Sequence, residues 1–372
     1  MIYQSVLENE NIASIINWLK DKNTKKIFLI TGKNSFYVSG SKNYLKPLLD
    51  EYDYIKFSDF EDNPQLKDVY RGIELFKSEG CDCCIAVGGG SVIDMAKLVS
   101  CLVNEDVIKI PEKIRDNIIN NGREVPLCVI PTTAGSGSES THFAVVYINH
   151  QKYSLAHPSI LPDYVNLNAN LSYSLNPYLK AITGLDALSQ SIESYWSKKS
   201  TAQSRIYSSK AINLLWNNLK QSVLENNYEA HKKVVQGSYL AGKAINIAKT
   251  TAAHAFSYFF TTHHNIRHGH AVSLTIGKIY QFNKSHVQYS DKVTKQIFTD
   301  LDKLLGIEED SISVIENFIS DLNIELDFSK LDINIKKELP NIKKEVNLER
   351  LNNNPFQIKE KDFENILINP LV

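Results

Sequence analysis

Asp186, His254 and His268 are the residues of this chain whose types and settings are best suited to chemistry. They stand in Gly-Leu-Asp186-Ala-Leu-Ser-Gln190, Thr-Ala-Ala-His254-Ala-Phe-Ser-Tyr258 and Asn-Ile-Arg-His268-Gly-His270. A carboxylate and two imidazoles brought together by folding form a mixed oxygen and nitrogen site suited to Fe²⁺ or Zn²⁺ acting as a Lewis acid. Gln190 lies one helical turn beyond Asp186 and shares its face. Its amide oxygen can ligate a metal, but it is neutral and harder than imidazole.

Two segments nearer the N-terminus point to a nucleotide. Gly88-Gly89-Gly90-Ser91 follows an apolar strand and precedes Val-Ile-Asp94-Met-Ala-Lys97. Three residues without Cβ at a strand-to-helix turn let backbone amides approach a pyrophosphate at the positive end of the new helix. The turn is not the Gly-x-Gly-x-x-Gly fingerprint. The second segment, Pro131 to Glu139, places Thr132, Thr133, Ser136 and Ser138 around Gly135 and Gly137, just past another strand. Metal plus nucleotide suggests hydride transfer.

The elements that must position these groups follow from the hydrophobic pattern. Lys26–Thr31, Cys83–Val87 and Pro126–Ile130 are continuous apolar runs, each ending in a turn with Gly or Pro. Such runs suit strands covered on both faces, which predicts a parallel, doubly wound sheet with ligands beyond the carboxyl ends of its strands. From about Pro177 helical periodicity dominates, and the tail beyond Ser290 reads as peripheral helices. The expectation is an α/β nucleotide-binding domain over 1–165 and an all-α domain for metal and substrate over 166–372.

Composition narrows the function. The chain has 372 residues, 43% of them hydrophobic and 22% charged, and a net charge of -1. That balance gives no general attraction to nucleic acid or to an anionic membrane, so any anion site is local. The five cysteines, Cys81, Cys83, Cys84, Cys101 and Cys128, form no spaced framework, which points to reduced thiols and a cytoplasmic protein. Cys81-Asp-Cys83-Cys84 runs into a strand whose neighbouring side chains face opposite ways, so it reads as buried thiols. Neither a signal peptide nor a bilayer-spanning run is legible.

The segments at 88–97, 131–139 and 184–188, the His254 to His268 block and Arg350-Leu-Asn-Asn-Asn-Pro355 strongly resemble the iron-containing (group III) alcohol dehydrogenase family. They occur in family order and cover nearly the whole chain. The resemblance implies a dehydroquinate synthase-like fold with cofactor and metal in the cleft between two domains. It implies that Gly88, Gly89, Gly90, Ser91, Asp94, Thr132, Thr133 and Ser136 line the dinucleotide. It also implies Asp186, His254 and His268 as ligands of a divalent metal, Fe²⁺ before Zn²⁺, and a dimer or higher homo-oligomer. After the first long strand, NAD-preferring members carry an acid. This chain reads Thr31-Gly32-Lys33-Asn34-Ser35, so Gly32 and Ser35 favour NADPH over NADH.

Two positions depart from the common family pattern, Gln190 and Tyr258, where most members carry histidine. Both agree with the phosphonoacetaldehyde reductase branch, which the surrounding segments resemble. That branch reduces phosphonoacetaldehyde to 2-hydroxyethylphosphonate. Lys249 replaces a residue without a side chain, Arg267 replaces a proline, and His263 and His264 add potential cations. Together they suggest an anionic aldehyde held by Lys249 with Thr250 or Arg267. The proton for the product would come from Tyr258, His270 or water. Three other readings stand beside this one: a generic primary-alcohol or lactaldehyde-type dehydrogenase, a sugar-phosphate cyclase of the dehydroquinate synthase type, and a non-catalytic nucleotide-binding relative.

Overall fold

The computed structural model describes residues 4–7, 11–119, 122–149 and 151–368. The chain forms two compact units, Met1–Leu175 and Asn176–Val372. No helix among the described residues is long and apolar enough to cross a membrane.

In the first unit β1 (Ser5–Leu7), α1 (Ala13–Asp21), β2 (Lys26–Thr31), α2 (Ser35–Val38), α3 (Ser41–Glu51) and β3 (Asp53–Phe57) come first. Then follow α4 (Leu66–Ser78), β4 (Cys83–Gly88), α5 (Gly90–Leu102), α6 (Ile110–Asp116) and β5 (Leu127–Pro131). The unit closes with β6 (Phe143–Ile148), β7 (Gln151–Ala156), β8 (Tyr164–Asn166) and α7 (Asn170–Tyr173). Six strands make a parallel sheet in the order β1-β8-β5-β4-β2-β3, while β6 and β7 form a separate antiparallel pair. Every residue of β4 and β5 is buried, as continuous apolar strands covered on both faces require. One face packs Ile27, Leu29, Ile85 and Ile130 against Ile15, Leu19 and Leu45. The other carries Phe28, stacked on Phe57 at 5.7 Å and edge-on to Phe76 at 5.5 Å. All five cysteines are buried and unpaired. Burial pushes the Cys83 thiol up to about 12, so these are packing residues.

The first unit runs past the expected boundary at 165/166. β8 pairs with both β1 and β5, and Leu171 of α7 belongs to the sheet core.

The second unit is helical: α8 (Pro177–Trp196), α9 (Ala202–Leu224), α10 (Tyr228–Ala248), α11 (Ala252–His264) and α12 (His268–His286). Its periphery is α13 (Lys292–Leu305), α14 (Ser311–Ser320), α15 (Ile335–Glu345), α16 (Leu348–Asn352) and α17 (Asp362–Leu367). The start of α8 is fixed locally, since Asn176 accepts from Leu179 N at 2.8 Å and Pro177 opens the helix. α8 and α12 cross at Gly269, where any Cβ would lie 1.9 Å from the Ile182 carbonyl oxygen and 3.2 Å from Asp186 Cβ. Only glycine permits this approach, and it brings the start of α12 against Asp186.

Candidate active site

In the first unit the turns singled out in the sequence fall side by side. β5, β4 and β2 are adjacent, with Gly88 opposite Pro131 and Thr31 opposite Val87, so Gly32, Gly88 and Thr132 all leave the sheet at one carboxyl edge. Thr132 N donates to Gly88 O at 3.0 Å. A Cβ on Gly90 would meet Ser136 Oγ at 2.9 Å, so its absence lets the two loops close on each other. Backbone at such an edge, leading into the N-terminus of α5, suits a pyrophosphate.

Asp94 has a different place from the one expected. Its carboxylate accepts from Ser138 Oγ at 2.5 Å and from Val145 N at 3.0 Å, so it braces the 131–139 loop from α5. Lys97, fully buried, does the same by donating to the carbonyls of Ser138 and Phe143 at 2.6 and 2.9 Å. Ser35 opens α2 and is exposed.

In the second unit Asp186 on α8, His254 on α11 and His268 at the start of α12 present ligand atoms all within 4.8 Å of one another. His254 Nε2 lies 3.2 Å and His268 Nε2 3.9 Å from Asp186 Oδ1. The Nδ1 atoms face away: His254 Nδ1 donates to Glu193 Oε2, and His268 Nδ1 lies 3.5 Å from Ser257 Oγ. Both rings therefore turn Nε2 toward the carboxylate, as a metal cradle requires. Gln190 is buried and hydrogen-bonds Asp186. Burial opposes charge on His254, but Glu193 and Asp186 outweigh it and raise the imidazole to about 9. Burial likewise pushes Asp186 up, yet His268, His254 and Gln190 hold it below its ordinary value. Two imidazoles and one carboxylate fit Fe²⁺ well and Zn²⁺ acceptably.

Around this cradle runs a buried network. Glu193 Oε1 accepts from Thr251 Oγ1 and Ala253 N, both at 2.8 Å, and Thr251 Oγ1 accepts from Trp196 Nε1 at 2.9 Å. Asp186, Gln190 and Glu193 are spaced i, i+4, i+7 and share one face of α8.

The model of the family "Iron-containing alcohol dehydrogenase" matches residues 4–169, and that of "Fe-containing alcohol dehydrogenase family, C-terminal" matches 180–370. The chain belongs to the iron-containing alcohol dehydrogenase family. Its similarity to the probable alcohol dehydrogenase EutG of Escherichia coli is 29% identity over 268 residues, 70% of this chain and 66% of that one. Among solved structures, an iron-containing alcohol dehydrogenase of Thermotoga maritima superposes with a TM-score of 0.79 at 28% identity, covering 98% of this chain and 97% of that one. The sulfoacetaldehyde reductase of Bifidobacterium kashiwanohense, solved with NAD⁺, shares the fold with a TM-score of 0.85 at 24% identity over 98% and 96% of the two chains. The fold is the dehydroquinate synthase-like one, and the family implies a divalent metal and an NAD(P) cofactor.

Within this iron-containing dehydrogenase the structure redistributes several sequence-derived roles. His270 is held by two partners away from the cluster: its Nε2 bonds the Glu325 carbonyl at 2.7 Å and its Nδ1 the Tyr178 hydroxyl at 3.1 Å. Arg267 is exposed at the N-cap of α12, and its electrostatic neighbour is Tyr178. His263 bonds Glu345 at 2.6 Å on the surface. Thr250 and Tyr258 do come together, joined by Arg350, a residue without a role in the sequence reading, while Lys249 adjoins Thr250 in the chain and feels the charge of Arg350. Arg350 Nε donates to the Tyr258 hydroxyl at 2.8 Å and Nη1 to Thr250 Oγ1. Tyr258 in turn stacks on the His268 ring with centroids 6.1 Å apart.

Glu193 is the second residue without an assigned role, and it sets the tautomer of His254. Glu193→Gln should weaken metal retention by about 10- to 100-fold. Metal titration with a competing chelator checks this, and wild-type affinity in the variant would remove Glu193 from the metal's support.

Proposed function

We propose that this dehydrogenase reduces phosphonoacetaldehyde to 2-hydroxyethylphosphonate, with NADPH as the preferred reductant. The observation that carries the reading is Lys249. It sits at φ 61°, ψ 176°, a backbone region that is essentially glycine's alone, at the end of α10 and five residues before His254. A cation kept in a conformation that costs about 1–3 kcal/mol, on the turn leading to a metal ligand, supports selection for a charged substrate.

Bound at Asp186, His254 and His268, a divalent ion supplies Lewis-acid polarisation of a carbonyl. Gln190 holds Asp186 from α8, and Glu193 keeps Nε2 of His254 available. Lys249 holds the phosphonate and fixes the approach of the aldehyde. Tyr258 accepts from Arg350, and in this reading its O–H donates to the nascent alcohol. For the cofactor, Gly32 leaves no carboxylate against a 2′-phosphate. Beyond β2 and β3, Lys33 and Arg71 pair with Asp59 at 3.0 and 2.7 Å and Arg71 also with Asp68 at 2.9 Å, so those cations are balanced and the cofactor reading rests on Gly32.

The test is consumption of NADPH and NADH, followed at about 340 nm, with phosphonoacetaldehyde, propanal and lactaldehyde on Fe²⁺- and Zn²⁺-loaded enzyme. A kcat/KM for the phosphonate well above the neutral aldehydes, highest with NADPH, is expected. Equal rates on all three would make this a generic primary-alcohol dehydrogenase, and substrate turnover without net NADPH consumption would return the cyclase reading.

A further inference from the structure

Arg350 lies on α16, 100 residues beyond Thr250, and it stands in an unusual setting for a guanidinium. Its two hydrogen-bond partners, Tyr258 and Thr250, are neutral hydroxyls. Among the described residues no carboxylate lies within ion-pair distance of it. Glu193 and Glu349 favour its charge from beyond contact distance, Glu349 standing 3.9 Å from Lys199 and Glu193 bonding His254 and Thr251. A partly buried guanidinium with no carboxylate in contact forfeits much of its hydration, and such groups are normally paired directly.

The same segment also builds the turn that holds Lys249. Asn353 Nδ2 donates to the Ala248 carbonyl at 2.9 Å and to the Thr250 carbonyl at 3.0 Å, clamping the backbone on both sides of Lys249. Asn354 and Asn283 exchange amide hydrogen bonds at 2.7 and 3.2 Å and anchor the segment to α12. Burial and the charge of Arg350 pull Lys249 down to about 8, with Glu349 opposing them. Two like charges are thus held on one wall, with Tyr258 connecting it to the His268 ring.

We infer that Arg350 and Lys249 form a binding site for a doubly charged tetrahedral headgroup, and that Arg350 selects a phosphonate or phosphate dianion over a singly charged sulfonate or carboxylate. The inference rests on the reduction of an anionic aldehyde proposed above. The planar Arg350 fork is already oriented by Tyr258 and Thr250, so its remaining Nη2 donors and the Lys249 ammonium meet separate oxygens of one group. A dianion offers each of the two cations an anionic oxygen, whereas a monoanion divides a single charge between them.

The experiment measures methylphosphonate and methanesulfonate as inhibitors against propanal, and their direct binding by calorimetry, in metal-loaded wild type, Arg350→Gln and Arg350→Lys. Wild type should bind methylphosphonate about 10- to 100-fold more tightly than methanesulfonate, the scale of one charge-assisted hydrogen bond. Arg350→Gln should erase that difference, and Arg350→Lys should restore part of it. Lys249→Gln should shrink the same difference, so the inference is tested even if Arg350→Gln folds poorly. Equal loss of both probes in Arg350→Gln, or unchanged discrimination, overturns the assignment. If wild type prefers phosphonoacetaldehyde to propanal yet treats the two probes alike, only the dianion inference falls. If it is indifferent to charge in substrates and probes, the reductase reading falls with it.

Discussion

Asp186→Ala is expected to purify with little bound iron or zinc and to lose about 10³-fold or more in kcat/KM, because Lewis-acid stabilisation is worth several kcal/mol and each 1.4 kcal/mol is tenfold. The reason is local. Asp186 is the single carboxylate of the triad and the atom toward which both His254 Nε2 and His268 Nε2 point. Without it two imidazoles remain with no carboxylate among the candidate ligands, and Gln190, which hydrogen-bonds Asp186, is neutral. Metal content by mass spectrometry and steady-state kinetics at saturating Fe²⁺ check the two halves separately. A variant that keeps one equivalent of metal and activity within tenfold of wild type would place the reaction elsewhere. Glu193→Gln should fall well short of this, since Glu193 supports a ligand without being one.

The other large effect is expected at Lys249, where stability and selectivity should move in opposite directions. Lys249→Gly removes a strain of about 1–3 kcal/mol. It returns about 0.5–1 kcal/mol of that through the greater freedom of glycine in the unfolded chain. Lys249→Ala removes the charge but keeps the strain, so the glycine variant should be the more stable of the two by about 1–2 kcal/mol, a few degrees in Tm. Both should raise KM for phosphonoacetaldehyde by about 10- to 100-fold, and far more than for propanal. Equal melting temperatures for the glycine and alanine variants would refute the strain argument. In wild type, burial and Arg350 lower Lys249 to about 8. Its charged form therefore prevails below that pH, and affinity for the anionic aldehyde should decline as pH rises through it. That decline should be absent in Lys249→Ala.

The sheet was legible because β2, β4 and β5 are apolar without interruption, and only strands covered on both faces need that. The three motifs carrying Asp186, His254 and His268 were legible, though the residue types alone did not say that the three would meet. Glu193 could have been found, since its i+7 spacing from Asp186 returns it to the same face of α8. The surroundings of His270 were not legible for a related reason. Two residues along a helix turn a side chain by about 200°, so a neighbour of a ligand in sequence faces away from it in space. There it meets Tyr178 and the Glu325 carbonyl. Arg350 and Asn353 were the least accessible. They lie in a lysine- and asparagine-rich tail, and their partners are backbone carbonyls and hydroxyls at 248–258 that no periodicity announces.

Thr250 and Thr251 are consecutive, yet their hydroxyls serve different masters: Thr250 meets Arg350, and Thr251 meets Glu193, the support of His254. A turn wired in this way cannot tighten around an anion without pressing on the cradle beside it. Any coupling it carries is reciprocal, so whatever a loaded cradle adds to anion affinity, the anion adds to metal retention. On the proposed reading, the rate of metal loss then depends on how much anionic substrate is present, which makes the abundance of substrate a determinant of how long the enzyme stays loaded.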